Sequence, residues 1–292
     1  MSAGAYSIWI IQCGRAPKFA RSGIYYGAHN SGTLDVPFNY VIVKGEGHVI
    51  AIDTGYKFLA YGKELATGYG VHEWRSPAEL LPHLGLTPED VDTLLITHAH
   101  WDHMGYLEAF PNATIYLQAE ELNRWMWAFA LPRQMSWLAI GGDPADFHHL
   151  LERSLKGQVR LVDGHVKDVL PGIDLAPAFE THTLGHQYVV VNTTAGPDPG
   201  PYIATGDCVY GFANLEGVDG SGVYTPIGYA LGSQRAGLEV FDRIMETLGG
   251  RARRILPAHD GEAWTQFPSR ETFPNLHLAE VALAPGERTR LS

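Results

Sequence analysis

Three histidines and an aspartate fall within six consecutive positions in the segment Thr97-His98-Ala99-His100-Trp101-Asp102-His103. Imidazole and carboxylate hold zinc and similar ions in catalytic sites, where one position stays open for water or substrate. The segment follows a short β-like run, Asp92 to Ile96, and precedes Met104-Gly105. Residues two apart share a face of an extended chain, so His98 and His100 can grip one ion. Asp102 and His103, where the chain turns, can serve a second. A solvated histidine-rich loop is the plain alternative and accounts poorly for so dense a cluster.

The chain has 292 residues, enough for one large α/β domain or two small ones, and its 45% hydrophobic content is ordinary for a globular protein. We expect one domain over 1–292, with a core at about 38–260, an N-terminal strand and arm at 1–37, and a tail at 261–292 without a recognisable domain. A formal charge of -11 argues against a nucleic-acid partner, which needs a basic surface. The two cysteines, Cys13 and Cys208, have neither metal-type nor disulfide spacing. The apolar run Ile8 to Ile11 lacks the basic region of a signal peptide, and nothing approaches the ~18 apolar residues of a membrane span. The expectation is a soluble, cytoplasmic protein with a small-molecule substrate and no membrane partner.

Several elements must position the histidines. Tyr6 to Gln12 reads as a first strand. Arg15 to Val36 reads as a loop or arm anchored by Tyr25 and Tyr26; it is a lid, a subunit contact that would make a homodimer, or a surface loop tacked down by two aromatics. Phe38 to Val43 and His48 to Ile52 form a hairpin pattern across Lys44-Gly45-Glu46-Gly47. Ser76-Pro77-Ala78-Glu79 has the cap, proline and capping-box glutamate of a helix start, and Gly85 ends that helix. Residues 119–155 read as a helical insert carrying Trp125, Trp127, Phe129 and Trp137. Helix spacing puts Trp125 and Phe129 on one face and Trp127 on the other. Together with Trp101 these aromatics are candidates for a substrate-pocket wall, or, for the insert, for simple packing. Ile173 to Glu180, Tyr188 to Thr194, Pro201 to Ala204 and Arg254 to Leu256 read as strands. Gln234 to Leu248 reads as an amphipathic helix, and Gly211 to Gly232 as irregular.

The His-x-His-x-Asp-His string resembles the signature of the metallo-β-lactamase superfamily. Further motifs carry the resemblance in order: Asp53-Thr54-Gly55, Thr181-His182-Thr183-Leu184-Gly185-His186, Thr205-Gly206-Asp207 and Pro257-Ala258-His259. Matched position by position, the resemblance implies His98, His100 and His182 on one metal and Asp102, His103 and His259 on a second. It implies Asp207 as a bridge, and Asp53 and His186 in support behind the ligands; a turn residue is the plain reading of Asp53. It also implies a four-layer αβ/βα sandwich with the metals at one edge of the sheets. Imidazole and carboxylate suit two Zn2+ ions, with iron, manganese and cobalt also admissible. A bridged metal pair supplies hydroxide near neutral pH to attack a carbonyl, and Asp102 could carry a proton to the leaving group.

Tyr210, three residues after Asp207, gives an Asp-x-x-Tyr pattern similar to that of the N-acyl homoserine lactone hydrolases of the superfamily. That likeness implies a phenol placed as an oxyanion donor and a lactone substrate; a packed aromatic is the plain reading. The alternative is the same site acting on another ester, a cyclic amide or a xenobiotic. Hydroxyacylglutathione hydrolases carry a helical domain beyond the last histidine, where only Asp260 to Ser292 stand here. Zinc β-lactamases commonly place cysteine at the bridge. Flavodiiron oxidoreductases place glutamate where His100 stands, and a non-catalytic binding protein would have lost ligands. His148 and His149 read as solvated.

Overall fold

The computed structural model describes residues 2–29 and 31–292; Met1 and Asn30, in the N-terminal strand and arm, lie outside the described residues. Its strands are β1 (Ser7–Ala20), β2 (Thr33–Gly45), β3 (His48–Ile52), β4 (Thr93–Leu95), β5 (Thr114–Gln118), β6 (Val159–Val162) and β7 (Val166–Leu170). They continue as β8 (Ile173–Pro177), β9 (Gln187–Thr193), β10 (Gly200–Ala204), β11 (Ile255–Leu256), β12 (Ser269–Phe273) and β13 (Leu276–Ala282). Among the described residues they form an eight-stranded sheet, β12-β13-β1-β2-β3-β4-β5-β6, and a five-stranded sheet, β11-β10-β9-β8-β7. With the helices Ala119–Phe129, Pro144–Leu155 and Gln234–Thr247 this is the expected α/β architecture of two sheets and several helices. No helix among the described residues is long and apolar enough to cross a membrane.

Local chemistry explains most elements. The β2–β3 hairpin closes through Glu46 at φ 51° and Gly47 at φ 84°, the left-handed pair that a tight two-residue turn needs. Ser76 and Glu79 form the reciprocal capping box, and Gly85 closes the following turn at φ 70°. Strands β1, β2 and β9 have long buried runs because both faces are covered, which removes the alternation of a half-exposed strand.

Three expectations need correction. The Arg15 to Val36 arm is largely strand: β1 runs on to Ala20, β2 begins at Thr33, and a short helix, Arg21–Ile24, lies between them. Register shifts at Gln12/Gly14 and Ala16/Phe19 hide the alternation. The 261–292 tail supplies β12 and β13, and β13 pairs with β1, so the sheet reaches beyond 38–260 at both ends. β6 and β7 were not expected. Each is an edge strand with exposed charged positions, Arg160 in one and Lys167 and Asp168 in the other.

Strands β3, β4, β5 and β6 run parallel in the first sheet, as β10 and β11 do in the second. In open α/β sheets the carboxyl ends of parallel strands are where ligands bind. Asp53 follows β3, His98 to His103 follow β4, Asp207 follows β10 and His259 follows β11. The segment 181–186 enters from the β8–β9 connection. Gln187 joins the two sheets there: its backbone donates to Thr97 O at 2.9 Å and its side chain to Ile96 O at 2.7 Å.

Candidate metal centre

The predicted ligands converge in two groups. The ligand atoms of His98, His100, His182 and Asp207 lie within 4.8 Å of one another, as do those of Asp102, His103 and His259. In the first group His100 Nδ1 is 3.0 Å from His98 Nε2 and 2.8 Å from His182 Nε2. Asp207 stands between the groups. Its Oδ2 is 3.3 Å from His182 Nε2, and its Oδ1 is 3.1 Å from His103 Nε2 and 3.2 Å from His259 Nε2. Asp102 Oδ2 completes the second group, 3.5 Å from His259 Nε2 and 3.7 Å from His103 Nε2.

Three of the imidazoles are oriented from behind. His103 Nδ1 donates to Asp53 Oδ2 at 2.8 Å, His182 Nδ1 to Tyr229 O at 2.8 Å, and His259 Nδ1 to Pro37 O at 2.9 Å. Those bonds select the tautomer whose Nε2 lone pair faces the centre. Asp53 also accepts from Thr97 N at 2.8 Å and from the Thr97 hydroxyl, which in turn meets His98 Nδ1 at 3.1 Å. Asp53 sits at φ 64°, a left-handed backbone that aspartate tolerates better than most residues. His186 is fully buried, stacks on His98 at 4.7 Å, and its Nε2 accepts the Asp207 backbone N–H at 3.2 Å.

A divalent cation fits this donor set. His103 Nε2 and Asp207 Oδ1 are buried and have no hydrogen-bond partner, a costly arrangement unless something positive lies between them. Burial pushes His98 and His100 well below the ordinary histidine range, which keeps them neutral and able to ligate. At Asp207 burial opposes ionisation, but His259, His103 and His182 together hold the carboxyl well below its usual value. For His103 burial pulls down, yet Asp207, Asp102 and Asp53 together push it well up.

The centre forms the floor of a cavity of about 470 Å³. Trp101, Phe38, Tyr69, Ile140, Trp137 and Leu231 supply much of its wall, and among the described residues no Lys or Arg lines it. The N-terminal arm is part of this wall through Phe19, Ile24 and Val36. It is pinned to the 226–229 segment by Tyr26 N to Pro226 O, Gly228 N to Ile24 O and Tyr229 N to Gly23 O. The expected aromatic wall is only partly realised. Trp101 lines the cavity, whereas Trp125 is buried behind His100 with Phe129 and Phe147, and Trp127 points to solvent at 45% exposure. Helix spacing separated the two faces correctly but could not say that the Trp125 face turns inward to pack. Trp137, from the turn after that helix, reaches the cavity instead.

Tyr210 is 4% exposed and lies in the cavity wall, its ring 5.6 Å from both His182 and His259. Its hydroxyl is 3.2 Å from His182 Nδ1. That nitrogen carries the proton it gives to Tyr229 O, so the phenol oxygen faces a donor and its own hydrogen is free to point into the cavity. Burial, with Asp207 and Asp102 nearby, pushes the phenol well above its ordinary pKa and keeps it protonated.

One residue went unnoticed in the sequence. Glu121 is fully buried on the far side of the ligand loops and accepts four hydrogen bonds. A glutamate in the first turn of a helix reads as an ordinary partner of the helix dipole, so nothing marked it out.

Comparison with known proteins gives the chain a family. The metallo-beta-lactamase superfamily model matches residues 33–227. The chain is 26% identical over 198 residues to an N-acyl homoserine lactonase of a Bacillus species, covering 63% of this chain and 68% of the relative. It is 23% identical over 257 residues to the N-acyl homoserine lactonase AiiB of Agrobacterium fabrum, covering 82% and 84%. A crystal structure of a quorum-quenching N-acyl homoserine lactone lactonase superposes with a TM-score of 0.65 at 19% identity, covering 94% of this chain and 100% of that one. The fold, the clustered histidines and aspartates and the family match lead to one conclusion: the chain belongs to the metallo-beta-lactamase superfamily and is a metal-dependent hydrolase.

Proposed function

We propose that this protein is a dinuclear hydrolase that opens a lactone, an N-acyl homoserine lactone or a related cyclic ester. The observation that carries this reading is Asp207, whose two oxygens face the two histidine groups separately beneath Tyr210. A cavity lining without Lys or Arg among the described residues favours a neutral substrate over a phosphate or a carboxylate. The two lactonase relatives support the choice of a cyclic ester. The all-imidazole and carboxylate donor set favours Zn2+ as the occupant of both positions.

When bound, the two cations supply Lewis acidity and an attacking water acidic enough to react near neutral pH. The chain supplies the rest. His98, His100 and His182 on one side and His103, His259 and Asp102 on the other would hold the ions, with Asp207 shared. The Tyr210 hydroxyl donates toward the carbonyl oxygen as negative charge develops on it, a bond that strengthens in the transition state. Asp102 lies at the cavity surface, and burial raises its pKa against the pull of His103 and His259. It is placed to take the proton of the attacking water and return it to the ring oxygen as the C–O bond breaks. The apolar wall excludes water from the remainder of the substrate.

The test is proton release at constant pH from N-acyl homoserine lactones and from plain γ- and δ-lactones. Release that stops on chelation and returns with Zn2+ supports the reading. No release from fully metallated protein rejects the lactone and directs the search to open esters and cyclic amides at the same site.

A further inference from the structure

We infer that Glu121 is a positioning residue that sets the spacing of the two loops carrying His98, His100 and His182, and so governs the affinity of that ion and not of its neighbour. The inference rests on the two-ion reading of the centre. Glu121 Oε1 accepts from Ala99 N and from Trp125 Nε1, both at 2.8 Å. Its Oε2 accepts from Thr183 Oγ1 at 2.8 Å and from Gly185 N at 2.9 Å. Ala99 lies between His98 and His100, and Thr183 follows His182. One carboxylate therefore joins the two ligand loops, one oxygen to each.

The chemistry of the contacts favours a carboxylate acceptor. Ala99 N, Trp125 Nε1 and Gly185 N can only donate, the Thr183 hydroxyl donates here as well, and an ionised carboxylate is the side chain that accepts on every face. Glutamine in the same place would turn its NH2 toward at least one N–H donor, Gly185 N on one side or Ala99 N and Trp125 Nε1 on the other. Glu121 also occupies the first turn of the helix Ala119–Phe129, where the helix dipole favours negative charge. The loops approach so closely that a Cβ at position 185 would lie 2.1 Å from Glu121 N, so glycine is required there. Trp125, held by the same carboxylate, lays its ring edge-on to His100 at 5.4 Å. The opposite group is oriented by other means: His103 by Asp53 and His259 by Pro37 O.

Stepwise binding of Zn2+ to the metal-free protein, measured by competition with a chromophoric chelator, tests this assignment, with the Co2+ absorption spectrum as a second readout. Glu121→Gln is expected to weaken one step by about tenfold to 100-fold and the other by no more than about threefold. Glu121→Asp, which keeps the charge, should recover part of the loss. In a His259→Ala background, which removes a ligand of the other ion, the remaining step should be the weakened one. Thr183→Val removes one donor without burying a mismatched amide, and should weaken the same step by a smaller factor if the Gln variant does not fold. Equal losses at both steps, or lowered thermal stability with both affinities unchanged, would overturn the assignment. A wild-type protein that takes up a single Zn2+ would contradict the two-ion reading instead, and Glu121 would then stand or fall on whether that one affinity drops in the Gln variant.

Discussion

Replacing Asp53 by asparagine separates orientation of the ligands from their identity. Asparagine tolerates the left-handed backbone at this position, where φ is 64°, so the substitution adds little strain. It removes no atom that faces the metal. What changes is that a carboxylate accepting from His103 Nδ1, Thr97 N and the Thr97 hydroxyl must now present an NH2 to at least one donor. A hydrogen bond to a charged group contributes about 1.5–3 kcal/mol. Expressed as affinity, about 1.4–2.8 kcal/mol is a tenfold to 100-fold loss. The ion held by His103 should carry most of it. A smaller loss should reach the other ion, because the Thr97 hydroxyl also meets His98 Nδ1. Chelator competition at pH 7 measures both. Affinities within about threefold of wild type at both steps would refute the orienting role and leave Asp53 as a turn residue.

Other consequences are independent of that one. Tyr210→Phe should lower kcat by about 100-fold with KM nearly unchanged, the pattern for loss of an oxyanion donor; because burial holds the phenol protonated, the wild-type rate should show no alkaline loss assignable to Tyr210 up to pH 10. Unchanged turnover in that variant would return Tyr210 to packing. Trp137→Ala should raise KM several-fold for substrates with an apolar substituent, whereas Trp127→Ala should leave kinetics within about twofold; the reverse order would mean that the cavity wall is wrongly placed. Asp146 has its pKa pushed up to about 8 by burial and by Asp143 and Glu108, against the pull of Lys57. A raised carboxyl stabilises the fold below its unfolded pKa near 3.8, and that stability is lost as pH rises through 8. Urea melts of Asp146→Asn should therefore gain on wild type from pH 5 to 8, by at most about 1.4 kcal/mol per pH unit, and level off above; a pH-independent difference would contradict it.

How much of this could be read in advance depended on whether the signal was local. His98, His100, Asp102 and His103 announce themselves because the chemistry sits on one turn of chain. His182, Asp207 and His259 are single residues at strand ends, and only their order within a family pattern singled them out. The hairpin at Glu46-Gly47 and the capping box at Ser76 were legible because each is fixed by residues within four positions. β6 and β7 were not, since these edge strands keep charged side chains and lose the apolar alternation. The extended arm was read as loop because Pro17, two register shifts and a glycine-rich tip interrupt β1 and β2. Glu121 was invisible for a different reason: three of its four partners lie 22, 62 and 64 positions away, and only folding brings them to one carboxylate.

The most direct test of the centre is a metal titration followed by lactone turnover. Zn2+ is added in steps to chelator-stripped protein, and the rate is plotted against ions bound per chain. Sharing of Asp207 between two groups predicts that activity rises to a plateau at two ions and that Asp207→Ala fails to reach it. A plateau at one ion, or hydrolysis that persists in stripped protein, would contradict the dinuclear site.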